Sequence, residues 1–311
     1  GAKGGRVDAA GSERWPDFMP GQVTWLNEPA ARSAAERYER VAVRTRLAAA
    51  PLPTGVLPPE ERNGGGTPVV LMPGFDSSAL EYRRLHPRLC ARGIEAWGVD
   101  LVGWGFTGAP EGVTDFSPEA KRAHLYAFWE QVLERRPMVL CGASLGGAAA
   151  VDFAVAHPEA VERLVLVDAQ CYAEDAPNPP GLLAKLGVAV LKSTPLRSMA
   201  NQMSYCDKET YATQDAVRVG RLHCLNAGYE DAICGFMRSG GYSVSTQVSK
   251  VSQRTLILWG ADDGIVEKEQ SERLASDIAS SELVYVDKCG HVPHLEQADE
   301  TAERIASFIA A

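Results

Sequence analysis

CGASLGGAAA, residues 141–150, sets a single hydroxyl, Ser144, among glycines, alanines and one leucine. The apolar run PMVL (137–140) stands before it, and an Ala-rich stretch runs after it to His157. A strand, a sharp turn and a helix account for that order. Serine at such a junction has two readings. It can cap the helix by accepting a backbone N–H. Or it can ride on the turn, with Gly142 and Gly146 removing side chains that a tight G-x-S-x-G turn cannot hold; the hydroxyl then stands clear of the sheet beside the positive end of the helix. The motif alone does not choose between them.

Outward from this point a rhythm is visible. Short apolar runs recur at PVVLMPG (68–74), EAWGVDL (95–101), RLVLVDA (163–169), TLILWGADD (255–263) and ELVYVDK (282–288), with helical stretches between them. Continuous apolar runs suit strands covered on both faces, and helical crossovers imply a mostly parallel sheet. The expected fold class is α/β, a mostly parallel central sheet flanked by helices with an inserted helical cap. The rhythm lapses between Cys171 and Ser249, where prolines precede helix-like GLLAKLGVAVLKS and TYATQDAVRVGRLHCLNAGYEDAICGFMRSGG. The expected organisation is an N-terminal extension with the first helix and strand elements at 1–64, a core at 65–170 and 250–311, and the cap at 171–249 above the strand ends. Within 1–64, WLNEPAARSAAERYERVAVRTRLA (25–48) begins as a helix and ends strand-like, and PLPTGVLPPEERNGGGTP (51–68) reads as a loop or hairpin. In the cap, Leu182, Leu183, Leu186, Val188 and Val190 are expected to face the core, with peripheral membrane contact the alternative.

The chain has 311 residues, 45% hydrophobic and 23% charged, enough for a large buried core. Lys+Arg 31 against Asp+Glu 40 leaves a formal net charge of −9, which disfavours nucleic acid as a partner. No run of about 18 apolar residues suggests a membrane-spanning helix, and GAKGGRVDAA lacks the regions of a secretory signal. The seven cysteines are odd in number and contain no C-x-x-C pair. Reduced thiols in an intracellular, soluble protein are expected, with one bridge among Cys206, Cys224 and Cys234 the alternative. No metal or cofactor is implied.

A serine hydroxyl is a weak nucleophile, so chemistry at Ser144 needs a base and a carboxylate to orient that base. On strand–turn–helix elbows of this kind the acid follows the serine and the histidine follows the acid. LILWGADDGIV offers Asp262 and Asp263, and LVYVDKCGHVPHLEQ offers His291 and His294. His291 follows its strand more directly. Asp168, closing RLVLVDA, reads as a hydrogen-bonding partner for a neighbouring loop in preference to the acid, and Asp100 reads as a turn residue. An oxyanion hole needs two donors. Leu145 N–H follows the nucleophile, and the loop LMPGFDSS supplies Phe75 N–H, unless its Pro-Gly pair marks only a turn.

Taken in order, VVLMPGF, VDLVGWGFTG, CGASLGG, LILWGADDGIV and CGHVPHLEQ resemble the α/β-hydrolase superfamily over roughly residues 65–310. The resemblance implies Asp263, three residues after Gly260, as the acid and His291, directly after Gly290, as the base. Many members carry His-Gly where this chain has Met72-Pro73-Gly74; because the donor is a backbone N–H, the change alters the rim and leaves the hole. GFDSSALEYRRL and GRLHCL are similar to uncharacterised plastid-type and cyanobacterial hydrolases of plants and algae, which implies a chloroplast setting, with the cytoplasm the alternative. A serine at the elbow argues against epoxide hydrolases and dehalogenases, which carry aspartate there. The implied activity is a serine carboxylester hydrolase working through an acyl-enzyme on a small-molecule or lipid-like ester with an apolar acyl or prenyl group; pheophytinase and chlorophyll dephytylase share PGF at the start of this loop but continue differently from DSSALEY, so chlorophyll esters are an alternative and not the favoured substrate. Leu182, Leu186, Met199, Met203, Tyr205 and Phe236 either line an acyl pocket or fill the cap's own core. A ligand receptor with little turnover, an acyltransferase, and a cofactor-free lyase or peroxidase are the rival readings.

Overall fold

Every residue of Val69–Met72, Ala96–Val99 and Met138–Ala143 is buried, as uninterrupted apolar runs require. They form the centre of the sheet in the computed structural model, which describes residues 6–7, 13–61, 66–172, 188 and 190–311. A short antiparallel ribbon pairs β1 (Arg6–Val7) with β2 (Glu13–Trp15). The main sheet comprises β3 (Glu39–Val43), β4 (Leu52–Leu57), β5 (Val69–Met72), β6 (Ala96–Val99), β7 (Met138–Ala143), β8 (Val161–Val167), β9 (Arg254–Gly260) and β10 (Ser281–Val286). Their order is β10-β9-β8-β7-β5-β6-β4-β3. Pairing is parallel from β10 through β6, and β4 and β3 extend the edge antiparallel.

The helices are α1 (Pro29–Arg37), α2 (Leu85–Cys90), α3 (Pro118–Gln131), α4 (Leu145–Ala156), α5 (Thr194–Ser204), α6 (Lys208–Tyr211), α7 (Gln214–Leu222), α8 (Tyr229–Arg238), α9 (Lys268–Asp277), α10 (Pro293–Glu296) and α11 (Ala298–Ala310). Their starts follow local chemistry. Ser117 accepts from Ala120 N–H at 3.2 Å ahead of Pro118 at α3, and Thr213 accepts from Ala216 N–H at 3.1 Å at α7. One face of the sheet packs on α3, α4 and α9 through residues such as Phe128, Phe153 and Leu274. The other packs on α2 and α11 through Leu85, Ile305 and Phe308. Helices α5 to α8 are inserted between β8 and β9. No helix among the described residues is long and apolar enough to cross a membrane.

The Pro/Gly-rich stretch after residue 50 is a hairpin arm over its first half, where Leu52–Leu57 pairs antiparallel with Glu39–Val43. Gly55 is needed because a Cβ there would meet Asp100 Oδ2 and Phe106 C at 3.1 Å. Of the apolar residues expected to face the core, Val188 is buried but Val190 is 55% exposed, pointing away from it. Leu182, Leu183 and Leu186 lie outside the described residues. All seven cysteines carry free thiols, so no bridge joins Cys206, Cys224 and Cys234.

Asp100 does more than terminate a strand. Fully buried, it accepts from Tyr38 O–H at 2.5 Å, Phe106 N–H at 2.6 Å and Ala79 N–H at 2.8 Å, pinning the edge hairpin to the loops after β5 and β6. Burial is the main cause that lifts its pKa to about 6 against those three bonds. Asp100→Ala strands two buried backbone donors and is expected to lower unfolding free energy by about 2–4 kcal/mol; urea denaturation followed by circular dichroism measures it.

Candidate active site

Ser144 joins β7 to α4 with φ 51° and ψ −123°, a conformation in which side-chain-bearing residues are strained. Its side chain makes no capping hydrogen bond, so helix capping does not explain the residue. The backbone holds the strain in place. Ser144 N–H donates to Val167 O at 2.9 Å, and Ser144 O accepts from Gly147 N–H at 2.9 Å and Gln170 N–H at 3.0 Å. Three glycines make the turn physically open to this path. A Cβ on Gly142 would lie 2.2 Å from Gly146 O, one on Gly146 2.5 Å from Pro73 O, and one on Gly147 2.3 Å from Ala169 Cβ.

The loop after β5 lies against the same turn. A Cβ on Gly74 would sit 3.3 Å from Ser144 Cβ. Gly74 N–H donates to Glu81 Oε1 at 3.2 Å. Neither the next N–H along, that of Phe75, nor that of Leu145 at the start of α4 donates to a protein acceptor among the described residues. Phe75 and Leu145 are both half-buried residues. Burial raises the pKa of Glu81 to about 7, opposed by the bonds from Ser77 and Gly74.

At the end of β9, Asp263 and not Asp262 reaches the histidine. His291 Nδ1 lies 2.8 Å from Asp263 Oδ2, and both side chains are nearly inaccessible, at 8% and 1%. A carboxylate partner places the proton on Nδ1 and leaves Nε2 as acceptor. Asp263 Oδ1 accepts from Ile265 N–H at 2.8 Å and Val266 N–H at 3.1 Å. Burial would raise the Asp263 pKa, but the His291 bond and charge outweigh it and hold the carboxyl below its usual range. Asp262 is exposed; its N–H donates to Cys289 O at 2.9 Å, joining the end of β9 to the histidine loop, and its carboxylate accepts from Cys206 Sγ at 3.4 Å. Ser144 and His291 share no hydrogen bond among the described residues; in unliganded sites such contacts are commonly long and tighten on substrate binding.

His294 is buried in α10 with neither ring nitrogen hydrogen-bonded, and burial lowers its pKa to about 3. It packs on Tyr82 at 5.0 Å between ring centroids, with Nε2 3.5 Å from Glu81 Oε1. Asp168 Oδ1 accepts from Gly260 N–H at 2.9 Å, tying β8 to β9 as a loop partner would. Its other oxygen, fully buried, has no donor, and its carboxyl lies within 4.8 Å of ligating atoms of both Asp263 and His291. Burial first, then the Asp263 charge, push Asp168 well above the usual carboxylate range, so it carries the proton of this acid pair.

Sequence reasoning missed Glu296. Its carboxylate accepts from Gly290 N–H at 2.7 Å, Cys206 N–H at 3.1 Å and Asp207 N–H at 2.6 Å, and His291 N–H donates to Ser204 O at 2.8 Å. The histidine loop is therefore bonded to the inserted helices. Only the acidic residue in HLEQ marked it, and nothing local showed its partners. Of the pocket candidates, Tyr205 lines a cavity of about 190 Å³ with Phe75, Arg197 and His294. Phe236 packs between Trp104 and Tyr242, and Met199 and Met203 face outward, more than half exposed.

Two groups among the described residues bring potential metal ligands within 4.8 Å of one another, Asp168–Asp263–His291 and Asp76–His223–Cys224. In the first, His291 Nδ1 is spent on Asp263. In the second, the Arg197 guanidinium contacts both Asp76 and Cys224, a fixed cation where an ion would sit.

Comparison with known proteins agrees with this architecture. The family model described as serine aminopeptidase, S33, matches residues 67–298. The alpha/beta hydrolase domain-containing protein VTE7 of Arabidopsis thaliana is 36% identical over 308 residues, 97% of this chain and 92% of that protein. The 2-hydroxy-6-oxo-2,4-heptadienoate hydrolase of Pseudomonas putida is 30% identical over 80% of this chain and 91% of that protein. Among solved structures, the meta-cleavage product hydrolase CumD of Pseudomonas fluorescens IP01 superposes with a TM-score of 0.70 at 23% identity, covering 86% of this chain and 98% of that one, a likeness of fold.

The turn at Ser144 tolerates no added atom against backbone. Gly146→Ala brings a Cβ to 2.5 Å from Pro73 O and 2.6 Å from Met72 O; it is expected to cost about 1–3 kcal/mol of stability, read as a lower urea midpoint with an unchanged slope.

Proposed function

The chain belongs to the α/β-hydrolase family matched by the serine aminopeptidase, S33, model, and from that premise we propose that this hydrolase is a serine carboxylester hydrolase. The observation that carries the reading is the 2.8 Å pairing of Asp263 with His291 in the same molecule as an elbow serine whose hydroxyl is spent on no cap. Ser144 attacks the ester carbonyl, and His291 Nε2 takes its proton. Asp263 orients the imidazole and stabilises its charged form. Phe75 N–H and Leu145 N–H receive the oxyanion. His291 then protonates the leaving alcohol, and water returns through the same base to hydrolyse the acyl-enzyme.

The inserted helices α5 to α8 act as a cap that selects the substrate, an apolar acyl or prenyl ester. Outward-facing Val190, Met199 and Met203 support a cap surface that meets lipid-like molecules or a membrane face. Chlorophyll esters in a plastid fall within this class. A second reading, hydrolysis of a 2-hydroxy-6-oxo acid by the same residues, draws support from the extent of the match to the Pseudomonas putida hydrolase.

A panel of p-nitrophenyl esters of increasing chain length, run beside a 2-hydroxy-6-oxo-dienoate, tests both. Ester turnover rising with chain length and falling at least about 10³-fold in Ser144→Ala is expected. Unchanged turnover in that variant removes the serine mechanism, and turnover confined to the dienoate replaces the ester reading with the second one.

A further inference from the structure

Outside the Asp263–His291 pair, a second gathering of buried charge among the described residues centres on Asp76, the residue after Phe75. Asp76 is 6% exposed and adopts φ 54°, the left-handed region that a side chain disfavours. Its Oδ1 accepts from Tyr229 O–H at 2.7 Å and lies 3.1 Å from His223 Nε2. Its Oδ2 pairs with Arg197 Nη2, and its backbone oxygen accepts from Arg197 Nη1 at 3.1 Å. Arg197 is itself fixed, donating to Gly220 O at 2.9 Å and to Cys224 Sγ at 3.0 Å. Arg197 lies on α5, Tyr229 opens α8, and His223 and Cys224 form the turn between α7 and α8. Every side-chain partner of this carboxylate thus comes from the inserted helices, while the carboxylate belongs to the loop below them.

We propose that Asp76 is a positioning residue for the oxyanion hole: clasped by Arg197, His223 and Tyr229, it locks the loop so that Phe75 N–H points at the substrate beside Ser144. This rests on the reading of Phe75 N–H as an oxyanion donor. Three features argue for it over a purely stabilising role. Buried ion clusters contribute little net stability, because desolvation offsets their attraction. The unfavourable φ falls one residue from the donor, where stored strain sets geometry. Gly74, on the other side of Phe75, is held independently by Glu81, so the peptide between them is gripped at both ends. His223 Nε2 lies between Asp76 Oδ1 at 3.1 Å and Cys224 Sγ at 3.5 Å, and these two neighbours raise its pKa against burial.

The test compares wild type, Asp76→Asn, Tyr229→Phe and Ser144→Ala in the full chain on one p-nitrophenyl ester. An aryl trifluoromethyl ketone serves as the probe of the hole. Ser144 Oγ adds to its carbonyl carbon, the carbonyl electron pair becomes the oxyanion, and the serine proton passes to His291. Asp76→Asn is expected to lose about 10- to 100-fold in kcat with KM changed less than about threefold, and ketone affinity should weaken in parallel. Tyr229→Phe, which deletes one oxygen, should show the same pattern at about three- to tenfold and decides the matter if Asp76→Asn does not fold. Wild-type kcat and ketone affinity in a folded variant, or a change confined to KM, overturns the proposal. Full activity in Ser144→Ala overturns the parent reading instead, so the two failures are separable.

Discussion

Backbone meets backbone at the carboxyl end of β7 more closely than any Cβ permits, and the candidate site depends on that contact. The carbonyls of Met72 and Pro73 press on Gly146, the carbonyl of Gly146 presses on Gly142, and Ala169 closes on Gly147. The turn carrying Ser144, the loop carrying Phe75 and the end of β8 are consequently one packed unit. A similar approach joins the other half of the site: a Cβ on Gly260 would lie 1.9 Å from Gly290 O, so the ends of β9 and the histidine loop share a surface made of main chain. Close-packed backbone has few alternative arrangements, which is how loops from distant strands can hold side chains to fractions of an ångström.

The inserted helices then fasten these loops from the opposite side. Glu296 gathers Gly290, Cys206 and Asp207 N–H groups, and Ser204 O receives His291 N–H. Asp76 makes the matching link at the Phe75 loop. Both attachments use carboxylates against backbone N–H, hydroxyl or guanidinium donors, bonds that are directional and expensive to leave unmade in a buried setting. On the proposed reading, a change in how the helices sit alters the alignment of base and oxyanion donor together with the shape of the pocket.

Carboxyl groups in the site differ in protonation because their surroundings differ. Asp263 has an imidazole and two backbone donors and stays ionised, whereas Asp168, a few ångströms away, has one backbone donor and a negative neighbour, and its own proton is hydrogen-bonded toward Asp263. Two ionised carboxylates in that space would repel with little solvent to screen them, so a neutral Asp168 is the state that leaves Asp263 free to serve His291.

Strand positions, the elbow at Ser144 and the two Asp/His alternatives were legible in the linear chain, since apolar continuity, turn glycines and chain order are local properties. Choosing Asp263 over Asp262 took a resemblance before geometry paired it with His291, because adjacent residues at a strand end look alike until the partner is in view. Pro53 and Gly55 left residues 52–57 open between a loop and a hairpin arm, and the antiparallel pairing with 39–43 decides for the hairpin. Val190, apolar yet exposed, was read inward because composition does not tell which side of a helix meets the core. By itself, then, the sequence determined the α/β alternation and the set of reactive side chains. Tertiary structure alone decided which of them touch, and that the carboxyls of Asp168 and Glu81 are pushed up, because Asp76, Asp168 and Glu296 find partners scores of residues away and the burial of Asp168 and Glu81 exists only once the chain is folded.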